Sequence, residues 1–320
     1  MTHPAPVLLA DVGGTNTRIA LADGLIVRDG SIARVPNKGQ PGLEDILAEY
    51  LAKAKVIPSA VAVAIAGPVR GDTGKMTNLN WTVTAQNLAA ATKADKVAIL
   101  NDMQAQGHAL AHLTDASFCV IKAGEPAPKN ATRMVIGLGT GLNSATVVTG
   151  TNGTMVPPSE SGHISLPIGN AEQVELAQFL QQRHGFAAVE DVLSGRGLPT
   201  FYEWVAGPDA PALTAAEITD QARDGTNPAA VRCVALFARL MGQFVGNLAL
   251  IQLPFGGIYL IGGVARAVEA ALRSSEFIEG FRDKGRFSEF MDQFSINLIT
   301  DDYAALTGLA SHLKEVAELG

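Results

Sequence analysis

The first residues that could do chemistry are an acid and a glycine pair, in the stretch Ala10-Asp11-Val12-Gly13-Gly14-Thr15-Asn16-Thr17. Apolar runs on both sides predict a strand, a tight turn and a second strand. Glycines in such a turn can take positive φ and let a ligand approach the backbone. The stretch could therefore be a phosphate cradle whose carboxylate serves a metal ion. It could equally be an ordinary hairpin in which Asp11 and Asn16 satisfy turn geometry.

A second copy of this pattern begins near residue 133. An apolar strand, Met134-Val135-Ile136, leads into the glycine turn Gly137-Leu138-Gly139-Thr140-Gly141. A second strand, residues 144–148, follows the turn. Two such units, about 125 residues apart, suggest two lobes of related topology that face one cleft. Two unrelated glycine hairpins would give the same pattern.

Three polar clusters follow. Asn101-Asp102 comes directly after an apolar strand, a place where open α/β sheets bind ligands, although an Asx turn is the alternative there. Glu160-Ser161-Gly162-His163 lies in a predicted loop, and Glu190 precedes a predicted helix. Taken alone, His163 fits a surface histidine and Glu190 fits a carboxylate beside a helix start.

A final glycine pair, Gly262-Gly263, separates a buried strand from a helix, where it could make room for a nucleotide or simply form a tight turn. No glycine loop in the chain ends in Gly-Lys-Ser/Thr, and the run from Gly137 to Gly141 lacks the third glycine of the dinucleotide fingerprint. The sequence therefore argues against P-loop and Rossmann nucleotide sites.

Apolar periodicity predicts the elements that must position these groups. The predicted helices are residues 42–53, 85–92, 171–183, 214–223, 228–253, 266–273 and 304–318, the last of which should pack back on the first lobe. The predicted inner strands are residues 60–66, 96–100, 258–261 and 296–300. Helix 228–253 is apolar enough to raise the membrane question, but Arg239, Gln243 and Asn247 fall on one face and predict a core helix.

Length and composition set the class of protein. A chain of 320 residues with 47% hydrophobic and 17% charged residues predicts two globular domains rather than a disordered chain. The net charge of −7, without a basic cluster, argues against nucleic acid or a membrane as a partner. Cys119 and Cys233 are too few for a disulfide framework or a thiolate zinc site. Met1-Thr2-His3-Pro4 does not begin a signal peptide, so we expect a cytoplasmic protein.

Taken in order, these stretches resemble the proteobacterial glucokinase family, within the actin-like ATPase sugar kinases. The resemblance runs from residue 7 to about residue 313. It rests on Asp11-Val12-Gly13-Gly14-Thr15-Asn16-Thr17-Arg18, Met76-Thr77-Asn78-Leu79-Asn80-Trp81, Asn101-Asp102, Gly139-Thr140-Gly141-Leu142, Glu160-Ser161-Gly162-His163, Glu190-Asp191-Val192-Leu193-Ser194-Gly195 and Gly262-Gly263.

The resemblance implies a two-lobed α/β fold of the actin-like ATPase, or ribonuclease H-like, class with a central cleft. We expect a small domain at residues 1–112 plus 301–320, a large domain at residues 113–300, and a homodimer. The implied reaction is transfer of the ATP γ-phosphoryl group to the 6-hydroxyl of glucose, the first step of glycolysis.

By the same resemblance, Asp102 is the general base and Asn101 holds a neighbouring hydroxyl. The remaining sugar hydroxyls bind Glu160, His163 and Glu190, and Asp11 orients Mg²⁺ through water. The implied ATP-binding residues are Asp11, Gly13, Gly14, Thr15, Asn16, Gly139, Thr140, Gly141, Gly262 and Gly263.

The chain departs from the usual family pattern at two positions, where Asn143 and Ser161 stand in place of glycine. Since asparagine tolerates positive φ, we expect the turn before Asn143 to survive. The alternatives are a kinase for another hexose, an actin-like ATPase without kinase turnover, and a sugar sensor. A kinase of the ROK type for an amino sugar would carry a zinc-binding cysteine cluster, which the sequence lacks.

Overall fold

The computed structural model describes residues 5–77, 79–151 and 153–319. The expectation about residues 1–4, and Asn78 of the family-like stretch, lie outside the described residues. The chain forms two compact units. The first contains residues up to 114, residues 149–158 and the chain from 301 onward, and the second contains residues 115–148 and 159–300.

The described residues form strands, α-helices and short 3₁₀ helices. The strands are β1 (Val7–Val12), β2 (Asn16–Asp23), β3 (Ile26–Val27), β4 (Ala33–Pro36), β5 (Ala60–Ile65), β6 (Val69–Arg70), β7 (Thr73–Lys75), β8 (Thr82–Thr84), β9 (Lys96–Asn101), β10 (Phe118–Lys122), β11 (Arg133–Leu138), β12 (Leu142–Gly150), β13 (Gly153–Met155), β14 (Ile258–Ile261) and β15 (Ile296–Ile299). The α-helices are α1 (Leu43–Ala54), α2 (Ala85–Thr92), α3 (Asp102–Ala109), α4 (Ala171–His184), α5 (Gly197–Ala206), α6 (Ala215–Arg223), α7 (Pro228–Gln252), α8 (Gly263–Ala267), α9 (Glu269–Leu272), α10 (Ser275–Arg282) and α11 (Ala304–Leu319). The 3₁₀ helices are Asp115–Ser117, Ser161–His163, Val189–Asp191, Gly285–Phe287 and Phe290–Gln293.

The two large sheets share one topology, which confirms the prediction from the repeated glycine hairpin. The first sheet has the order β3-β2-β1-β5-β9, with β4 beside β2, and the second has the order β10-β15-β14-β11-β12-β13. In the first, β1 is antiparallel to β2 and parallel to β5, which is parallel to β9. In the second, β11 is antiparallel to β12 and parallel to β14, which is parallel to β15. Strands β6, β7 and β8 form a small third sheet.

Strand β5 shows why its sequence is an unbroken run of small apolar residues. All six positions are buried, because helices cover both faces of the first sheet. Val61 and Val63 face the cluster that contains Leu43 of α1 and Leu88 of α2. The alanines between them face the cluster formed with α3 and α11, where smaller side chains let the helices come closer. The prediction of a central strand is confirmed.

Side-chain caps fix several helix ends where the sequence predicted them. Asn170 accepts a hydrogen bond from the N–H of Gln173 at the start of α4, and Gly185 ends that helix at φ 79°. Thr214 and Glu217 form the predicted capping box of α6. These local hydrogen bonds explain why the predicted bounds agree with the structure within a residue.

Helix α7 is the core helix of the second unit. By length and composition it could span a membrane, but 61% of its most apolar window is buried inside the protein. Gln243, from its polar face, is buried and hydrogen-bonded to Gln173 at 2.8 Å and to Asp283 at 3.2 Å. The prediction of a core helix is therefore confirmed, and its buried amide is satisfied by neighbouring side chains.

Several elements differ from the predicted secondary structure, and α10, β4 and β10 are among those that were not predicted. The predicted helix 266–273 begins three residues earlier, at Gly263, and breaks at Val268 into α8 and α9. Helix α3 was not predicted at all. Its buried residues are Met103, Ala105, Gly107, His108 and Ala109, which give almost no apolar periodicity. Its buried face packs against α11 without an apolar period, and the local signal at its start, a capping box of Asn101 and Gln104, was not used in the sequence analysis.

A histidine cluster lies where α3 packs against α11. His108 is 5% exposed, its Nε2 lies 3.2 Å from Nδ1 of His312, and its Nδ1 lies 3.5 Å from Oε2 of Glu315. Burial, and then the charges of His312 and His112, lower the pKa of His108 to about 4. Burial also lowers the pKa of His312. Both rings are therefore neutral in the folded protein near neutral pH.

This burial predicts a loss of stability in mild acid. Between pH of about 6.5 and 4 the unfolded chain binds a proton at residue 108 that the folded chain excludes, so the free energy of unfolding should fall as the pH falls. The total effect should be on the order of 3 kcal/mol. Urea unfolding across this pH range measures it. His108→Gln should reduce the slope, whereas His184→Gln, at an exposed position, should leave it unchanged.

Candidate active site

Asp11 lies at the end of β1, directly opposite Arg18 of β2. Its Oδ2 forms an ion pair with Nη1 of Arg18 at 3.0 Å, and the residue is 9% exposed. Burial raises the pKa of Asp11, and the charge and hydrogen bond of Arg18 act against that rise. The hairpin register thus supplies a buried carboxylate with a cation, a pairing that the sequence analysis did not consider.

The turn after Asp11 is braced by a residue that the sequence analysis missed. The Gly13 N–H donates to the Asn16 carbonyl at 3.0 Å, which closes the hairpin around Gly14 and Thr15. Asn37 is buried, donates through Nδ2 to the Gly13 carbonyl at 2.8 Å, and accepts from the Thr17 hydroxyl at 2.7 Å. No local sequence signal links Asn37 to the turn, because the contact depends on the path of β4.

Positive φ is not what requires glycine in either hairpin turn. Gly13, Gly14, Gly139 and Gly141 are absent from the described residues with positive φ. That part of the expectation was wrong, because both turns close without a left-handed residue. A Cβ on Gly139 would meet no other atom within 4 Å, so its surroundings are open.

Asn101 and Asp102 lie where β9 ends and α3 begins. The Asn101 Oδ1 caps the helix by accepting from the Met103 N–H at 2.7 Å, and Gln104 completes the capping box by accepting from the Asn101 N–H at 3.0 Å. Asp102 is the first residue of α3, partly exposed, and its Oδ1 also accepts from the Met103 N–H at 2.8 Å. These bonds place the Asp102 carboxyl group at the N-terminus of α3.

The structure brings Glu160, His163 and Glu190 together in the second unit. Glu160 and His163 belong to the 3₁₀ helix Ser161–His163 and its cap, Glu190 belongs to Val189–Asp191, and the two short helices contact each other. Burial raises the pKa of Glu160, the charge of His163 opposes the rise, and the charge of Glu190 adds to it. Glu160 thus interacts electrostatically with both His163 and Glu190, as expected of a shared polar site.

Glu190 is held by hydrogen bonds at both carboxylate oxygens. Its Oε2 accepts from the Leu142 N–H at 2.7 Å, and its Oε1 pairs with Arg196. A Cβ on Gly141 would lie 2.5 Å from Oε2, and one on Gly162 would overlap the Leu142 carbonyl oxygen. Glycine at 141 therefore leaves room for the Glu190 carboxylate, and glycine at 162 lets the 3₁₀ helix Ser161–His163 pack against the start of β12.

The glycine turn between β11 and β12 is also fastened to the segment after Glu190. The carbonyls of Gly139 and Thr140 accept from the N–H groups of Gly195 at 2.8 Å and Arg196 at 3.2 Å. Arg196 had no role in the sequence analysis, although it follows directly on the family-like stretch 190–195. The second turn and the Glu190 segment form one structural block.

Gly262 and Gly263 differ in what requires them. Gly262 has φ 119°, and a Cβ there would overlap the Leu138 carbonyl oxygen, so backbone conformation and packing both demand glycine. A Cβ on Gly263 would meet no other atom within 4 Å. Only Gly263 thus has open space beside it, at the first turn of α8.

Asn143 is not in the conformation that we expected. It lies inside β12, opposite Gly137 of β11, and is absent from the described residues with positive φ. The turn survives because it ends at Gly141, before Asn143 is reached. The Asn143 side chain instead bonds to the loop that carries Glu160.

The sequence model of the glucokinase family matches residues 8–316. The chain is 34% identical to a glucokinase of Photorhabdus laumondii over 318 residues, which cover 98% of both chains. It is also 34% identical to a glucokinase of Pectobacterium atrosepticum, covering 99% of this chain and 98% of that one.

Solved structures give the same result for the fold. A glucokinase from an Antarctic psychrotroph superposes with a TM-score of 0.83 at 30% identity, covering 97% of this chain and 98% of that one. A Balamuthia mandrillaris glucokinase in complex with glucose superposes with a TM-score of 0.81 at 20% identity, covering 97% of this chain and 93% of that one. A ROK family glucokinase of Streptomyces griseus, in complex with glucose and AMPPNP, superposes with a TM-score of 0.65 at 19% identity, covering 98% of this chain and 100% of that one. The fold is that of the actin-like ATPase sugar kinases.

The adjacent glycines make a matched test of the strand-to-helix turn. Gly262→Ala should lower the free energy of unfolding by about 2 kcal/mol or more, because it adds both backbone strain and overlap with the Leu138 carbonyl. Gly263→Ala should change it by less than about 0.5 kcal/mol. Urea unfolding of both variants measures this. Equal losses in the free energy of unfolding would contradict the difference in packing between the two glycines.

Proposed function

The chain belongs to the glucokinase family, and from that premise we propose that Asp102 is the general base of its reaction. The reaction itself is ATP-dependent phosphorylation of glucose, and we assign the phosphoryl group to the 6-hydroxyl. The main structural support for the sugar site is the cluster of Glu160, His163 and Glu190, in which Glu190 is anchored at both oxygens.

The position of Asp102 suits a base. Asp102 is the first residue of α3, directly after β9, where open α/β sheets bind ligands, and it is partly exposed, so a sugar hydroxyl could reach it. Phosphoryl transfer depends mainly on positioning and electrostatics, and a positioned base adds about 10² to 10⁴ in rate. Asn101, fixed as the helix cap, would place its amide beside a neighbouring hydroxyl.

The other sugar hydroxyls would bind the cluster in the second unit. A carboxylate has about four acceptor positions, so Glu190 keeps acceptor capacity after bonding to Leu142 and Arg196. Glu160 and His163 are both exposed and can meet a ligand. A site of this kind discriminates against sugars that lack a hydroxyl, because its polar groups are then left without a partner.

The nucleotide would be held by backbone groups. We assign the phosphates to the Gly13–Asn16 turn and to Gly139, Thr140 and Gly141. The Gly13 and Gly139 N–H groups donate within their own turns, so the N–H groups of Gly14, Thr15, Thr140 and Gly141 would surround the anion. Gly263, with open space beside it, would admit the nucleoside, whereas Gly262 is required by its backbone.

Magnesium is the expected metal, and Asp11 fits it. Mg²⁺ prefers oxygen ligands, keeps several waters and is usually bound by one or two carboxylates together with substrate phosphates. The ion pair with Arg18 uses Oδ2 of Asp11, so contact through water suits this carboxylate better than a full set of protein ligands. When bound with ATP, the ion would neutralise charge on the transferring phosphoryl group.

Four further properties complete the proposal. We assign the enzyme to the cytoplasm and to the first step of glycolysis, and expect a homodimer. We propose a small domain, residues 1–112 plus 301–320, and a large domain, residues 113–300. The two compact units have similar bounds, except that residues 113–114 and 149–158 belong to the first unit. Size-exclusion chromatography with light scattering tests the dimer. A hexose panel with ATP tests glucose against other hexoses.

Replacing the proposed base gives the sharpest test of mechanism. Asp102→Asn should lower kcat by about 10² to 10⁴ while glucose still binds, because the amide keeps the shape but cannot accept the proton. Coupled assays measure kcat, and calorimetry measures glucose affinity. Asp95→Asn, an exposed position in the same unit, is the matched control and should keep full activity. Nearly unchanged turnover in Asp102→Asn would exclude the base assignment, and absence of ADP formation with every hexose would exclude the kinase.

Removing the charge of Asp11 tests the metal role. Asp11→Asn should raise the Mg²⁺ concentration needed for half-maximal activity by about tenfold, as expected for a partner that contacts the metal through water. Glucose affinity should not change. Arg18→Gln removes the same ion pair but keeps the carboxylate, so its Mg²⁺ requirement should not rise. An unchanged requirement in Asp11→Asn would contradict the assignment.

A further inference from the structure

The loop that carries Glu160 is fastened on both sides of that residue by the start of β12. The Asn143 Nδ2 donates to the Ser159 carbonyl at 2.6 Å, and the Asn143 Oδ1 accepts from the Ser161 N–H at 3.0 Å. Ser159 and Ser161 are the two neighbours of Glu160 in the chain. A single amide side chain therefore fixes the backbone before and after the proposed sugar-binding carboxylate.

Hydroxyl groups reinforce this attachment. The Ser159 hydroxyl donates to the Ser144 carbonyl at 2.6 Å, and the Ser144 hydroxyl donates to the Ser161 hydroxyl at 2.8 Å. Ser144 is 6% and Ser161 is 8% exposed. The bond between Ser144 and Ser161 is therefore shielded from water and holds the loop more firmly than a bond at the surface, whereas Ser159 is exposed and its bond to the Ser144 carbonyl is partly buried.

The same strand end also holds Glu190. Leu142, the residue before Asn143, donates its N–H to the Glu190 carboxylate at 2.7 Å. Leu142, Asn143 and Ser144 are paired with successive residues of β11, so their spacing is fixed by the sheet. Three consecutive residues of one strand thus determine where Glu160 and Glu190 stand relative to each other.

The two departures from the family pattern contact each other at this point. The N–H and hydroxyl of Ser161 both lie within hydrogen-bonding distance of the Asn143 Oδ1, at 3.0 and 3.3 Å. Glycine at 143 would remove the amide, and glycine at 161 would remove the hydroxyl. The side chains at these positions form one hydrogen-bonding unit.

We propose that Asn143, together with Ser161, is a positioning residue that sets Glu160 at a fixed distance from Glu190 and thereby determines sugar affinity and selectivity. This inference rests on the proposed function, because it concerns the same sugar site. Glu160 itself is exposed, so the location of its carboxylate depends on the backbone that carries it. Loss of the Asn143 amide frees that backbone and leaves Glu190 anchored.

A double-mutant cycle distinguishes positioning from a general structural role. Asn143→Ala should weaken glucose binding about 5- to 30-fold, with a similar rise in glucose KM and little change in ATP KM. In a Glu160→Gln background the same substitution should weaken glucose binding less than about threefold, since the group being positioned has lost its charge. Equal effects in both backgrounds, or glucose binding unchanged by Asn143→Ala, would overturn the proposal.

A matched control separates stability from positioning. Thr214→Ala removes the cap of α6, in the same unit, and should lower the unfolding temperature without changing glucose affinity. If Asn143→Ala does not fold, Ser159→Ala and Ser161→Ala each remove one hydroxyl of the network, and each should weaken glucose binding in the same direction by a smaller factor. Glucose affinity unchanged in both serine variants would also overturn the proposal.

Selectivity provides a second measurement. In Glu160→Gln, a panel of monodeoxyglucoses identifies the hydroxyl whose removal no longer weakens binding relative to glucose. The monodeoxyglucose that lacks this hydroxyl should also be discriminated against less by Asn143→Ala than by the unmodified protein. Unchanged discrimination against this sugar in Asn143→Ala would contradict the proposal. Calorimetry measures all of these affinities without turnover. Failure of the unmodified protein to phosphorylate glucose would therefore reject the proposed function separately from this inference.

Discussion

The hydrogen bond from the Leu142 N–H to the Glu190 carboxylate is the contact on which the candidate site of the second unit depends. A largely buried carboxylate is costly unless hydrogen bonds satisfy it. The strand end and Arg196 satisfy this one, and Gly141 leaves room for its carboxylate. Gly141, which looks like part of a phosphate turn in the sequence, therefore has a second structural reason, the packing of Glu190 against β12.

The same strand topology is used twice for different chemistry. In the first sheet the hairpin between β1 and β2 sets Asp11 opposite Arg18, a charged pair at the end of a buried strand. In the second sheet the equivalent hairpin presents Leu142 and Asn143, which act through an N–H and an amide. The two sheets share one backbone arrangement, and the side chains at their strand ends differ. The first hairpin therefore supplies a charged pair, and the second supplies hydrogen-bonding groups.

Local signals made most of the fold predictable. The caps of α4 and α6, the two hairpins and the buried run of β5 depend on neighbouring residues, so the sequence predicted them well. Helix α3 was missed because its buried face shows no apolar period and its capping box was overlooked. The bracing role of Asn37 was missed because it depends on a segment distant in sequence. In the candidate site, the polar clusters were found by their order along the chain. Arg196 was not, because its contact with Glu190 depends on a tight fold of residues 190–197.

Helix α3 links the proposed base to packing far from the chemistry. Asp102 occupies its first position, so the direction of the carboxylate follows the direction of the helix. That direction is fixed on the other side by α11, where the Gly308 backbone lies so close to the Ala105 carbonyl that a Cβ would overlap it. His108 and His312 complete the contact as neutral rings. Since α3 packs against α11 around this neutral pair, protonation of the pair in acid would weaken the contact that sets the direction of the helix carrying Asp102.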